Sequence, residues 1–340
     1  MLFFESLSGE RGYAVNEEGA PYFGVTGNSD SLYGYLFAHF IGEQEDGEQI
    51  YFALSRDGLH WQDLNHSQPV LRSTVGERGA RDPYLLRSQD GSRFYLMATD
   101  LSICRRGGWR DAQATVTGSR SLIIWESADL VNWSEPWLAE VAPEEAGCAW
   151  APEAIYDDEA GDYLVYWASS LETADGSGRG LYIYCSKTSD FRSFTEAELY
   201  ITRGEHNTII DTTIIKAGGK YYRASGDGHI TIEASDHLLK EWKTVSTLDS
   251  LGLRLTGKDV EGPEFFKFNG EEKWGLLVDQ YASDGGYLPI VTTDIGDPTG
   301  ASWRRLKPEE YAFGRLKKRH GTILPLFKGE YDAIWAKWGG

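Results

Sequence analysis

Two series of short motifs run through this chain in step, and their shared drift is what most restricts the fold. The first series closes on an aromatic residue after a Ser or Thr and an Asp: Ser55, Asp57, Trp61; Ser127, Asp129, Trp133; Thr188, Asp190, Phe194; Ser235, Asp236, Trp242; Thr293, Asp294, Trp303. The second follows each aromatic by 17 to 21 residues: Asp82 in Arg-Asp-Pro, Glu153 in Trp-Ala-Pro-Glu, Asp211 in Ile-Asp-Thr, Glu261 in Glu-Gly-Pro and His320 in Arg-His-Gly. Successive aromatics lie 72, 61, 48 and 61 residues apart, and successive members of the second series 71, 58, 50 and 59. Two kinds of motif that stretch and shrink together mark five copies of one structural unit, and periods near 50 residues belong to propellers and arrays. Each copy is expected to place a polar group at the same structural point.

The segments between the motifs read as strands. Phe94-Tyr-Leu-Met-Ala-Thr99, Tyr163-Leu-Val-Tyr-Trp-Ala168, Lys220-Tyr-Tyr-Arg-Ala224 and Trp274-Gly-Leu-Leu-Val278 are short aromatic and β-branched runs entered through Gly-containing turns. A following run in each unit, such as Leu122–Trp125 or Leu181–Tyr184, leads into the Ser/Asp/aromatic motif. The pattern predicts an inner, a middle and an outer strand per unit, with at most a helical turn near Pro308. The first unit has strands at Tyr33–Ala38 and Ile50–Leu54 but no inner-strand motif ahead of them. Gly321–Leu326 is expected to supply that strand, with Tyr331–Trp335 as a further one, closing the ring and removing its open edges. The expectation is an all-β, five-bladed β-propeller, its last blade closed by strands from both termini, forming a single domain over residues 1–340.

Composition narrows the partners. With 52 acidic and 33 basic residues the formal charge is −19, which repels a phosphate backbone, so nucleic acid is not an expected partner. Arg315, Lys317, Lys318 and Arg319 make the one basic run, read as a solvated loop. A neutral oligosaccharide suits this balance. No apolar run approaches the length of a membrane span, so no membrane partner is expected. The start, Met-Leu-Phe-Phe-Glu-Ser, lacks a basic segment and a long apolar stretch, which points to a cytoplasmic protein; a chain whose leader had been removed would read the same. Cys104, Cys148 and Cys185 have no paired spacing and read as ordinary thiols. The oligomeric state is not legible.

In a propeller the innermost strands line the axis, so residues repeated at their ends converge. Asp82, Asp211 and Glu261 are the carboxylates expected to meet there. Taken singly, Asp-Pro and Gly-Pro are ordinary turn formers, and their phase across the repeats is what lifts them out of that class. Glycoside hydrolysis needs a carboxylic acid to protonate the leaving oxygen and a carboxylate to activate water or attack carbon, and a third carboxylate nearby holds the acid's proton by like-charge repulsion. Trp150 is the leading candidate for sugar stacking, followed by Trp109, Trp167 and Tyr281. Glu153 is a candidate for a sugar hydroxyl or for a structural bond, and Arg81 or Arg319 for donating to substrate or to a catalytic carboxylate. The repeated aromatics Trp61, Trp133, Trp242 and Trp303 are read as wedges between blades. The polar, glycine-rich segments 104–118 and 171–180 are candidates to rise over the channel mouth and set specificity.

The ordered series Asp82-Pro83, Trp150-Ala151-Pro152, Ile210-Asp211, Glu261-Gly262-Pro263 and His320-Gly321 resembles glycoside hydrolase family 43, the five-bladed propellers of arabinofuranosidase and xylosidase type. The resemblance spans most of the chain. It implies Asp82 as general base, Asp211 as the residue that tunes and orients the acid, Glu261 as general acid, and inversion at the anomeric carbon. It also makes His320 a candidate to hold a calcium or other cation through water on the axis, with no cofactor required for the chemistry. Arg-Asp-Pro is similar to a motif of invertase and levansucrase propellers too, but their Asn-Asp-Pro and Glu-Cys signatures do not occur here. The expected activity is removal of terminal α-L-arabinofuranosyl units from plant-derived oligosaccharides. The alternatives are a β-xylosidase, an exo-acting galactan or galactofuranose hydrolase, or a non-catalytic carbohydrate-binding or protein-interaction propeller.

Overall fold

The computed structural model describes residues 31–110 and 113–339, together with the short paired strands Ala14–Val15 and Pro21–Tyr22. The rest of the expected 1–340 domain lies outside the described residues. Five four-stranded antiparallel sheets stand around an axis as a five-bladed β-propeller. From the axis outward, the first blade is Gly321–Leu326, Gly34–His39, Tyr51–Ser55 and Trp61–Asp63. The innermost strands of blades two to five are Ala80–Arg87, Trp150–Asp157, Ile210–Ala217 and Glu261–Lys267. Each blade therefore has a fourth, outermost strand beyond the three expected.

Closure follows the expected route. Gly321 pairs with His39 and Leu326 with Gly34 in an unbroken antiparallel ladder, so the last strand of the chain completes the first blade. The Tyr331–Trp335 segment is not a strand. It belongs to the helix Lys328–Trp338, which buries Ile334 and sets Trp338 edge-on to Phe52. Arg87 of the second blade ties it down through a salt bridge to Glu330. The helix follows the far end of the inner strand that His320 precedes, so it caps the face opposite the site. Among the described residues, no helix is long and apolar enough to cross a membrane.

Five apolar clusters fill the five wedges between neighbouring blades, and each takes one of the repeated aromatics. Trp133 packs between blades one and two, Phe194 between two and three, and Trp242 between three and four. Trp303 lies between four and five, and Trp61 between five and one. The Ser and Asp of the motif build the turn that aims the aromatic. Ser55 Oγ accepts from Gly58 N at 2.9 Å, and Asp57 Oδ1 accepts from Leu59 N and His60 N at 2.9 and 2.8 Å; the second and third blades repeat the set. In the fifth blade Thr292, not Thr293, takes the part, accepting from Asp294 N at 3.0 Å. In the fourth, Asp236 instead pairs with Lys220 at the surface.

Candidate active site

The inner strands of blades two to five each break register near the point where they enter the sheet. The irregularity falls between Arg81 and Tyr84, Trp150 and Glu153, Ile210 and Thr213, and Glu261 and Glu264. At its centre the backbone is left-handed in all four: Asp82 (φ 48°), Ala151 (48°), Asp211 (51°) and Gly262 (54°). A residue with a Cβ gives up roughly 1–2 kcal/mol in that conformation, and bulges of this kind re-aim side chains beside active sites. Here the bulge turns Asp82 and Asp211 toward the axis. Glycine is required at 262, because a Cβ there would stand 2.9 Å from Cγ of His320.

Aligning the bulges corrects the expectation of one polar position per blade. Asp82 and Asp211 occupy the bulge itself, Glu261 sits one residue before it, level with Arg81, Trp150 and Ile210, and Glu153 lies two residues after it, level with Tyr84, Thr213 and Glu264. The inner residues of the ring thus form two tiers.

The upper tier holds the three expected carboxylates, Asp82 and Asp211 beside His320 and Glu261 on the neighbouring Arg319. His320 Nδ1 lies 3.6 Å from Asp82 Oδ1 and 3.9 Å from Asp211 Oδ1. Thr99 Oγ1 donates to Asp82 Oδ2 at 2.8 Å and accepts from Ala151 N at 2.7 Å, fixing Asp82 between blades two and three. Gly262 N donates to Asp211 Oδ2 at 3.0 Å, so the fifth blade's bulge positions the fourth blade's aspartate. Arg319 donates to Glu261 Oε1 at 3.3 Å and to Asp279 Oδ2 at 2.5 Å, and lies 3.6 Å from Glu43. Burial, then the nearby Asp82, raises the Asp211 carboxyl to about 7. Burial, then Asp211 and Asp279, raises Glu261 to about 8 against the pull of Arg319, while its side chain keeps 32% of its surface open. A carboxyl that holds its proton at neutral pH and still faces solvent is equipped to protonate an arriving oxygen.

The lower tier is sealed. Glu153 and Glu264, both 3% exposed, face each other beneath the site. Tyr166 OH donates to Glu153 Oε2 at 3.0 Å, while Thr322 and Thr213 donate to Glu264 at 3.1 and 3.3 Å. Burial and the neighbouring Glu264 push Glu153 well above the usual carboxyl range, and burial raises Glu264 to about 7. Glu153 therefore supports the axis from below and is not placed to meet a sugar hydroxyl. The pair has a thermodynamic consequence. Glu264 ionises near 4.5 when unfolded and near 7 in the fold, so between these pH values the folded state holds the extra proton and stability falls as pH rises. Denaturant titrations should show a loss on the order of 1–3 kcal/mol from pH 5 to pH 8, and Glu264→Gln should flatten part of that slope. A stability that rises over this interval in the wild type would contradict the sealed pair.

The remaining candidates divide. Trp150 is half-buried at the site, and Trp109 stands edge-on to it at 6.2 Å, itself 52% exposed, which brings this part of the candidate loop beside the channel mouth. The strands Asp162–Glu172 and Arg179–Thr188 run four residues past the point where Ala168 pairs with Trp150, carrying their hairpin tip beyond the site on the same face. Tyr281, 46% exposed, follows Asp279 at the rim. Trp167 is fully buried between blades two and three with its indole N–H on Ser169, which rules it out as a sugar platform. Arg81 is also buried, held by Glu43 and Glu48 at 3.2 and 3.0 Å; of the two arginines, Arg319 is the one that reaches a catalytic candidate. The basic run is not wholly solvated, since Lys318 is buried in an ion pair with Asp63. Glu43, Asp279 and Thr99 complete the site and were not singled out from sequence.

The cation expected on the axis would be held on His320 through water. Among the described residues, no group of three or more His, Cys, Asp or Glu side chains is arranged to hold an ion directly. The donors do not fit a directly coordinated metal, and no chemical step is assigned to one.

Two carboxyls raised by burial and by neighbouring acids, Asp211 to about 7 and Glu261 to about 8, stand with Asp82 at one axial opening, an arrangement that defines the glycoside-hydrolase class of propellers. The chain belongs to the family described as "Probable glycosyl hydrolase domain", a relative of family 43, whose sequence model matches residues 30–332. It is 32% identical over 305 residues to an α-L-arabinofuranosidase of Bifidobacterium longum subsp. longum, a match covering 76% of this chain and 28% of that protein. The chain thus spans under a third of the length of that relative. Among solved structures, a family-43 β-1,3-galactosidase superposes with a TM-score of 0.53 at 13% identity, over 81% of this chain and 58% of the other. An α-L-arabinofuranosidase from Lactobacillus brevis gives 0.47 at 21% identity, over 67% and 72%. The galactosidase likeness bears on the fold alone.

Proposed function

We propose that this chain is an inverting glycoside hydrolase that releases terminal α-L-arabinofuranosyl units from plant-derived oligosaccharides, with Asp82 as general base, Glu261 as general acid and Asp211 as the group that raises and orients the acid. The observation that carries the reading is the upper tier: Asp82 and Asp211 meet at His320, and the partly open Glu261, held by Arg319 and close enough to feel both aspartates, is raised to about 8. In this mechanism Glu261 gives its proton to the glycosidic oxygen as the bond to the anomeric carbon breaks. Asp82 takes a proton from a water that attacks the opposite face of the ring. Asp211 stays close enough to both to penalise ionisation of Glu261 until the proton has somewhere to go. The arabinofuranosyl specificity is supported by the B. longum relative's name.

The test is turnover of 4-nitrophenyl α-L-arabinofuranoside beside the β-D-xylopyranoside and β-D-galactopyranoside, with proton NMR of the first-formed sugar. Arabinoside cleavage giving the β-anomer first is the expected result. First formation of the α-anomer would overturn inversion, preference for another glycoside would reassign the sugar, and turnover of none would favour a binding propeller.

A further inference from the structure

A cleft of about 740 Å³, with both polar and apolar walls, opens between the fourth and fifth blades, within the roughly 300–1,000 Å³ range of clefts that enclose a small ligand. Glu261 and Ile210 form its inner end, while Asp82, Asp211 and His320 are not among its walls. We infer that this cleft binds the leaving-group portion of the substrate, as a neutral, hydroxyl-rich sugar chain. The inference rests on the hydrolase reading above and extends it to the part of the substrate that departs.

The assignment follows from which carboxyl the cleft touches. In an inverting reaction the acid meets the oxygen of the departing group, and the base sits across the sugar ring, beside the incoming water. A cleft that ends on the acid and excludes the base therefore lies on the departing side. Two of its charged walls are already paired, Arg203 with Asp227 and Glu233, each at 2.8 Å, and His229 with Asp249 at 3.3 Å, which leaves Lys258 as the further cation on the lining. The paired groups ask for no ionic ligand, which suits a neutral one. Gly228 leaves the floor open, since a Cβ built there meets nothing within 4 Å. Tyr281 stands at the rim, its hydroxyl anchored on the Lys258 carbonyl at 2.6 Å, so the ring is held in place with nearly half its surface exposed. An immobilised aromatic face beside fixed polar groups is the usual means of orienting a sugar, because little entropy is left to lose on binding.

Two variants of the full chain test this: Thr208→Trp and Thr244→Trp, each of which fills the cleft from an exposed position on its wall. Each is assayed on the aryl glycoside that the wild type turns over and on the trisaccharide of the same sugar. The expected result is a loss of about tenfold in kcat/KM on the trisaccharide with a change under about threefold on the aryl glycoside, since only the former uses the far cleft. Loss on both substrates alike, or on neither, would overturn the assignment while leaving the hydrolase reading intact. A wild type that cleaves neither substrate would overturn both.

Discussion

Glu261→Gln is expected to lower kcat on an arabino-oligosaccharide by about 10²–10⁴-fold, the usual worth of a positioned general acid, while cutting turnover of the 4-nitrophenyl glycoside far less. The contrast comes from the leaving groups. A sugar alkoxide cannot depart without a proton, whereas nitrophenolate is stable enough to leave nearly unaided. The pH profile supplies a second signature. Glu261 works when protonated and burial with Asp211 and Asp279 holds its carboxyl up to about 8, so wild-type activity on the oligosaccharide should fall as pH rises through that value. Asp211→Asn removes one of the charges that raise it, and the alkaline limb should then move to lower pH with the acid still in place. The variant assays and the profile together check the assignment. A Glu261→Gln enzyme with equal losses on both leaving groups, or an alkaline limb untouched by Asp211→Asn, would remove Glu261 from the role.

How much of this was legible in the sequence depends on what repeats. Blade number and phase were, because each wedge between blades needs an aromatic of the same kind at the same place, and Trp61, Trp133, Phe194, Trp242 and Trp303 supply it. Strand register was not. Arg-Asp-Pro, Trp-Ala-Pro-Glu and Glu-Gly-Pro all place a carboxylate near a proline, but the left-handed residue falls on Asp82, Ala151 and Gly262 respectively, and the offset separates Glu261 at the site from Glu153 beneath it. Trp167 misled for a related reason. A strand buried on both faces has no polar alternation to say which side faces the channel. The C-terminal helix was legible in retrospect, since Tyr331, Ile334 and Trp338 follow a helical spacing and Glu330 stands where it accepts from Phe327 N at 2.9 Å. Glu43 and Asp279 carry no motif at all: they reach the site through Arg319, a contact made only once the ring has closed.

Asp82→Asn should abolish turnover of the activated and the natural substrate alike, with losses of about 10²–10⁴-fold on both. The reason is that water must lose a proton as it attacks, whatever the leaving group, and an amide cannot take it. The variant is close in shape, and the Thr99 hydroxyl that bonds Asp82 at 2.8 Å has an oxygen to meet on the asparagine, so the fold should survive, as a thermal melt would show. Azide discriminates a lost base from a distorted site. It is a nucleophile with no proton to lose, so in the Asp82→Asn enzyme it should restore cleavage of the 4-nitrophenyl glycoside by entering where water would, giving a glycosyl azide of inverted configuration while Glu261 remains to serve the leaving side. Restoration with retained configuration would mean that the attack comes from the other face and that the base and acid have been assigned to the wrong sides of the ring. An Asp82→Asn enzyme within a few-fold of wild type would mean that the axial aspartate nearest His320 shapes the site without taking the proton.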